Sequence, residues 1–109
     1  MRKQTDINEN VRAILVDWII SVHAKFKLLP ETLYLTINLI DRYFSLFNVN
    51  KAEVQLVGIT ALLISTKYEE IYPPTVKDFI YLTDNTFTRQ QILNMEKNML
   101  FHLQFDIQQ

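Results

Sequence analysis

No cysteine occurs anywhere in the chain. That excludes disulfides, thiolate catalysis and cysteine-ligated zinc, and it fits an intracellular address better than a secreted one. Glycine occurs once, at Gly58, against about 7% in average usage. Phosphate-cradling loops and dinucleotide fingerprints need several glycines, so neither can exist here. The same scarcity disfavours tight hairpins and favours helices joined by short loops. Charge of one sign is also lacking, because 11 basic residues stand against 12 acidic ones for a net charge of -1. No electrostatic footprint for nucleic acid or an anionic membrane follows from that balance. The longest apolar run, residues 56–64, is interrupted by Thr60 and falls far short of a membrane span. The opening Met1-Arg2-Lys3-Gln4-Thr5-Asp6 has no apolar stretch behind its charges, so it does not read as a signal peptide.

What is present is helical spacing almost throughout a length of 109 residues, enough for one domain with its own core. Asp6 and Asn8 are N-cap types, from which a first helix runs to about Lys27. Leu29-Pro30-Glu31 breaks the pattern, and a second helix fits Glu31 to Phe47. Asn48-Val49-Asn50 turns the chain into a third helix, from about Lys51 to Glu70. Tyr72-Pro73-Pro74-Thr75 ends it, since proline cannot continue a helix and pushes its predecessor extended. A short fourth helix covers Thr75 to Leu82. Thr88 and Gln91 form a capping-box pattern, which starts a fifth helix reaching about Leu103. The fold class is all-α.

The third helix is apolar on every side between Leu56 and Ile64, which predicts a central, buried element wrapped by the others. Gly58, Ala61 and Ser65 make a small-residue stripe along it that lets another helix come close. The first helix carries two apolar stripes, Val11, Ile14, Leu15, Trp18 and Val22, and, nearly opposite, Ala13, Val16, Ile20 and Ala24. One stripe can face the core; the other is left for something else.

Catalytic patterns are missing. No nucleophile elbow surrounds Ser21, Ser45 or Ser65. His23 and His102 lack the spacing and companions of a zinc site and read as structural or surface histidines. Glu69 and Glu70 are adjacent, so on a helix they point about 100° apart and cannot share a substrate. They read as a solvated helix end. No enzymatic activity, cofactor or metal is expected.

Three stretches carry a specific resemblance. Val11-Arg12-Ala13-Ile14-Leu15-Val16-Asp17-Trp18 resembles the cyclin signature M-R-A-I-L-V-D-W with its first residue changed. Leu33 to Ser45 ends in Asn38-Leu39-Ile40-Asp41-Arg42-Tyr43-Phe44-Ser45, and Gln55-Leu56-Val57-Gly58 precedes Ser65-Thr66-Lys67-Tyr68-Glu69-Glu70-Ile71-Tyr72-Pro73-Pro74. With Tyr81-Leu82-Thr83-Asp84-Asn85 and Met95-Glu96-Lys97 the match covers essentially the whole chain. Its wording, including the stretch His23 to Thr32, is closest to B-type, mitotic cyclins.

The resemblance implies a five-helix cyclin box over residues 1–109, the first box of a longer protein whose second box is absent from this chain. It implies a non-enzymatic regulatory subunit that binds and activates a cyclin-dependent protein kinase at the G2/mitosis transition, in nucleus and cytoplasm. The alternative is a cyclin-fold scaffold in transcription or another process, and a basic face would favour it. Carried over by motif, Lys67 and Glu96 are the signature kinase-contact pair. Ile64, Tyr68, Leu100 and Ile107 pocket an apolar kinase side chain, with Glu69, Glu70, Ile71 and Phe105 as neighbouring contacts. Arg12 and Asp41 form a buried ion pair between the first two helices. Val11, Ile14, Leu15, Trp18, Val54 and Gln55 form a shallow exposed patch that docks substrates or inhibitors bearing an Arg-x-Leu motif, with Asp84 helping to hold the arginine. The sequence departs from the pattern at Val11, where the family has methionine, and at Ser21, where it commonly has a glutamate; the lost carboxylate makes docking weaker or less selective for arginine.

Overall fold

Side-chain caps and prolines set the boundaries of the helices. The structure, a computed structural model, describes residues 9–103. Its helices are α1 (Glu9–Phe26), α2 (Pro30–Leu46), α3 (Lys51–Glu69), α4 (Val76–Leu82) and α5 (Arg89–Leu103), with no strand among the described residues. Asn50 opens α3 by accepting from the Glu53 amide, as an N-cap asparagine does. Thr75 and Asp78 form a reciprocal capping box at the start of α4. Thr88 and Gln91 do the same for α5, at 2.8 and 3.1 Å. Helix α2 starts differently: Pro30 fills its first position and Leu29 has no side chain able to cap it. With glycine confined to α3, left-handed backbone positions fall to Lys27, Asp84 and Asn85; aspartate and asparagine tolerate them best.

Every residue from 56 to 66 is buried. The reason is that α3 feeds two apolar clusters on different sides. Val54, Val57, Ala61 and Ile64 pack with Leu15 and Ile19 of α1, Leu39 and Ile40 of α2, and Met99 of α5. Leu56, Ile59, Leu62 and Leu63 pack with Val22, Phe79, Phe87 and Ile92. The central third helix is therefore as the apolar spacing requires. Gly58 is where α1 comes nearest: a Cβ there would lie 2.7 Å from Leu15 Cδ1 and 3.5 Å from Ile19 Cδ1.

The two stripes of α1 are redrawn by this packing. The inward line is Leu15, Ile19 and Val22, all buried, whereas Ala13, Ile20 and Ala24 are exposed. Ile19 belongs to neither sequence stripe, yet it is the most deeply buried residue of the helix. It lies between α3 and α2, and a helix with two packed neighbours buries a wedge rather than a single stripe.

Candidate functional site

Lys67 sits in the last turn of α3 and Glu96 in the middle of α5, and the Lys67 ammonium meets Glu96 Oε2 at 2.8 Å. The Lys67 side chain remains 46% exposed but that of Glu96 only 13%. The carboxylate is thus largely covered and holds the lysine from beneath. Tyr68 and Leu100 are half-buried beside this edge, and Leu100 packs onto the core. Ile71 lies beyond the end of α3 and is 84% exposed. It therefore does not share a helix face with Ile64 and Tyr68. Ile64 is sealed in the core, and it can only support this edge from below. Phe105 and Ile107 lie outside the described residues.

Glu70 has a structural partner that the sequence did not suggest. Its Oε2 accepts from the Leu29 amide at 2.7 Å and from the Thr32 hydroxyl. The carboxylate at the end of α3 thereby supplies the cap that Leu29 lacks at the start of α2. Glu70 is not a solvated helix end; Glu69 is half-buried. His23 Nε2 donates to the Leu29 carbonyl at 2.7 Å, tying α1 to the same turn, and the His102 ring lies 4.9 Å from Phe47. No group of three metal-binding side chains occurs among the described residues.

A second feature lies between α1 and the first turns of α3. Val11, Ile14, Leu15, Trp18, Lys51, Val54 and Gln55 line an open groove of about 410 Å³. Ile14 rises from it at 69% exposure, whereas Leu15 and Val54 are buried and make its floor. The predicted exposed patch is therefore a groove with a buried floor. Ser21 and Asp84 are exposed but outside its lining; the Ser21 hydroxyl donates instead to the Asp17 carbonyl at 3.2 Å. Arg12 and Asp41, on α1 and α2, form a double hydrogen bond with both contacts at 2.8 Å. Their side chains are 43% and 47% exposed, so the pair is not buried.

The family described as "Cyclin, N-terminal domain" matches residues 1–108. The chain belongs to the cyclin family. Among the curated proteins similar to this cyclin domain, Cyclin-B1-3 of Arabidopsis thaliana is 55% identical over 105 residues, 96% of this chain and 25% of the relative. Cyclin-B1-2 of the same plant is 57% identical over the same share of the chain and 24% of its own length. The G2/mitotic-specific cyclin-A of Hydra viridissima is 50% identical, across 98% of this chain and 26% of its own. Both B-type and A-type cyclins are thus relatives, and the chain spans about a quarter of their length. The crystal structure of a viral cyclin from herpesvirus saimiri superposes with a TM-score of 0.88 at 30% identity, covering 95% of this chain and 45% of that one. The five helices of the cyclin domain and its α3-centred core agree with that likeness. Lys51 is the groove residue that motif reasoning left out; its place three and four residues before Val54 and Gln55 is the signal that could have found it.

Proposed function

We propose that this cyclin domain is the first of two boxes in a regulatory subunit that binds a cyclin-dependent protein kinase and activates it at the G2/mitosis transition, in nucleus and cytoplasm. The observation that carries the reading is the Lys67–Glu96 pair, which bridges the last turn of α3 and the middle of α5 at one solvent-facing edge. Activation of such kinases requires a lysine–glutamate pair within the kinase small lobe, formed when a mobile helix swings inward. A rigid edge that binds only the inward position of that helix lowers its energy by population shift, with no catalytic group of its own. Lys67 is suited to backbone carbonyls of the partner helix because Glu96 fixes its ammonium while leaving it accessible. Tyr68, Ile71 and Leu100 supply apolar surface around it, with Glu69 at the border.

The α1–α3 groove is the second element of the proposal, as a docking place for substrates or inhibitors bearing an Arg-x-Leu motif. Its buried floor of Leu15 and Val54 suits a leucine side chain. Gln55 offers an amide for the peptide backbone.

Calorimetric titration with a purified cyclin-dependent kinase tests the first element. Lys67→Ala is expected to melt like the parent chain and to bind the kinase about tenfold or more weaker, the loss of a charge-assisted hydrogen bond across an interface. Unchanged affinity in both Lys67→Ala and Glu96→Ala would assign the kinase to another face.

A further inference from the structure

Gln55 and Leu56 are neighbours in α3, yet each lines a different hollow. Gln55 belongs to the α1–α3 groove, and Leu56 to a second concavity of about 320 Å³ formed with Gln91, Asn94, Met95 and Asn98 of α5. The four α5 residues recur at i, i+3, i+4 and i+7, which puts them on one flank of that helix. Leu56 is buried and Met95 half-buried, whereas Gln91 and Asn94 are exposed, so the hollow has an apolar floor and a row of carboxamides above it. Each carboxamide is already held at one end. Gln91 Oε1 accepts from the Thr88 amide at 2.8 Å, Asn94 pairs with Gln90 at 2.9 Å, and Asn98 with the Tyr43 hydroxyl at 2.8 Å. A carboxamide has a donor end and an acceptor end, so each fixed amide keeps its other end for an incoming group. The ridge between the two hollows is the start of α3. Ala52, one turn before Leu56, is exposed and points between Gln55 and Leu56; its small side chain lets another backbone cross closely. We infer that a peptide docked in the α1–α3 groove continues over this ridge in extended form, and that Gln91, Asn94 and Asn98 bind its main chain whatever its side chains. The inference rests on the reading of the groove as a docking place for Arg-x-Leu peptides, and it adds where the flanking residues go. The lengths agree. From Gln55 to Leu56 is about 100° of the helix surface, an arc of about 10 Å, and residues 91 to 98 span about 10 Å of α5. Each stretch takes about three residues of extended chain at roughly 3.3 Å apiece.

Trp18 is the sole tryptophan of the chain and lines the groove, so its fluorescence reports occupancy by the anchor. The 109-residue chain is titrated with a short capped Arg-x-Leu peptide and with two longer ones. These carry a tail of alternating serine and alanine, long enough to cross the ridge and cover α5, at the amino end in one and at the carboxyl end in the other. One tail is expected to tighten binding about fivefold, the gain from main-chain hydrogen bonds less the ordering of the added residues. Recasting that tail in threonine and glutamine should leave the gain in place. Methylating alternate backbone nitrogens of the tail should remove it, because the N–H donors are lost. Asn94→Ala should remove it too, while the melting temperature and the affinity for the short peptide stay as in the parent chain. No gain from either tail, a gain that depends on the tail's side chains, or one that survives methylation or Asn94→Ala would overturn the α5 path and leave the docking reading intact. No saturable change with the short peptide or its extensions would overturn both. A concentration-dependent dimer in sedimentation, broken by Asn94→Arg, would overturn the α5 path as well, because a second copy would then fill that hollow.

Discussion

Arg12 and Asp41 join α1 to α2 through parallel bonds to both carboxylate oxygens, a geometry that strengthens an ion pair. Had the pair been buried, removing one partner would cost about 3–5 kcal/mol through the charge left behind. Nearly half of each side chain reaches solvent, so water receives the survivor and the coupling falls to about 1 kcal/mol or less. Arg12→Ala should therefore remain folded, and thermal melts of that variant, of Asp41→Ala and of the double variant should yield a coupling in that range. An unfolded Arg12→Ala would mean that the pair is far less hydrated than its exposure indicates. Tyr43 carries a different kind of information. Burial pushes its phenol above the ordinary value of 10.0, the hydrogen bond from Asn98 opposes this, and the Glu53 charge adds to it. The Asn98 amide donates to the phenol oxygen at 2.8 Å. A raised folded-state value means the native chain holds the proton more tightly than the unfolded one. That stability is complete below the unfolded value, near 10, and is lost as pH rises through the folded value. Chemical denaturation from pH 8 to 11 should show stability falling above about pH 10. Tyr43→Phe should flatten the part of that slope that this phenol contributes.

Helix ends divide into those written locally and those written at a distance. Thr88 and Gln91 stand three apart, and their two cap bonds form as the pattern demands. Thr75 and Asp78 follow the same logic with a shorter acid, so that box was there to be read. The cap of α2 was not. Its acceptor, Glu70, lies 38 and 41 residues from the groups it binds, and no periodicity links such positions. Ile19 was hidden for a related reason: which flank of an apolar helix turns inward depends on the neighbours it meets, here both α2 and α3. The Lys67–Glu96 pair and the groove walls could be located from motifs, but the 13% exposure of Glu96 and the buried groove floor could not. Spacing gives direction around a helix without giving depth. Glu70→Ala is expected to lower stability by about 1–3 kcal/mol, because the buried Thr32 hydroxyl and the Leu29 amide both lose their acceptor. Glu70→Gln keeps an acceptor and should lose much less. Urea denaturation of the two variants separates them, and equal losses would mean that the charge alone matters.

Across the molecule, α3 is the axis on which both apolar clusters meet, and a change in either is felt by the other through it. The Lys67 edge and the α1–α3 groove lie at opposite ends of this one helix, so each rests on the same rigid support. Helix α4 contrasts with it, having seven residues and only Phe79 buried among them. That difference has a temporal meaning. Backbone amides between residues 56 and 66 can meet deuterated water only when the whole domain opens, because every one of these residues is enclosed. Those of α4 need only a local excursion in which Phe79 leaves its contact with Phe26, whose ring lies 5.6 Å away. Native-state hydrogen exchange should accordingly give the α3 amides the protection factor of global unfolding and the α4 amides one lower by an order of magnitude or more. A chain built this way can fray at the α4 side while the helix beneath both candidate contact surfaces keeps its shape.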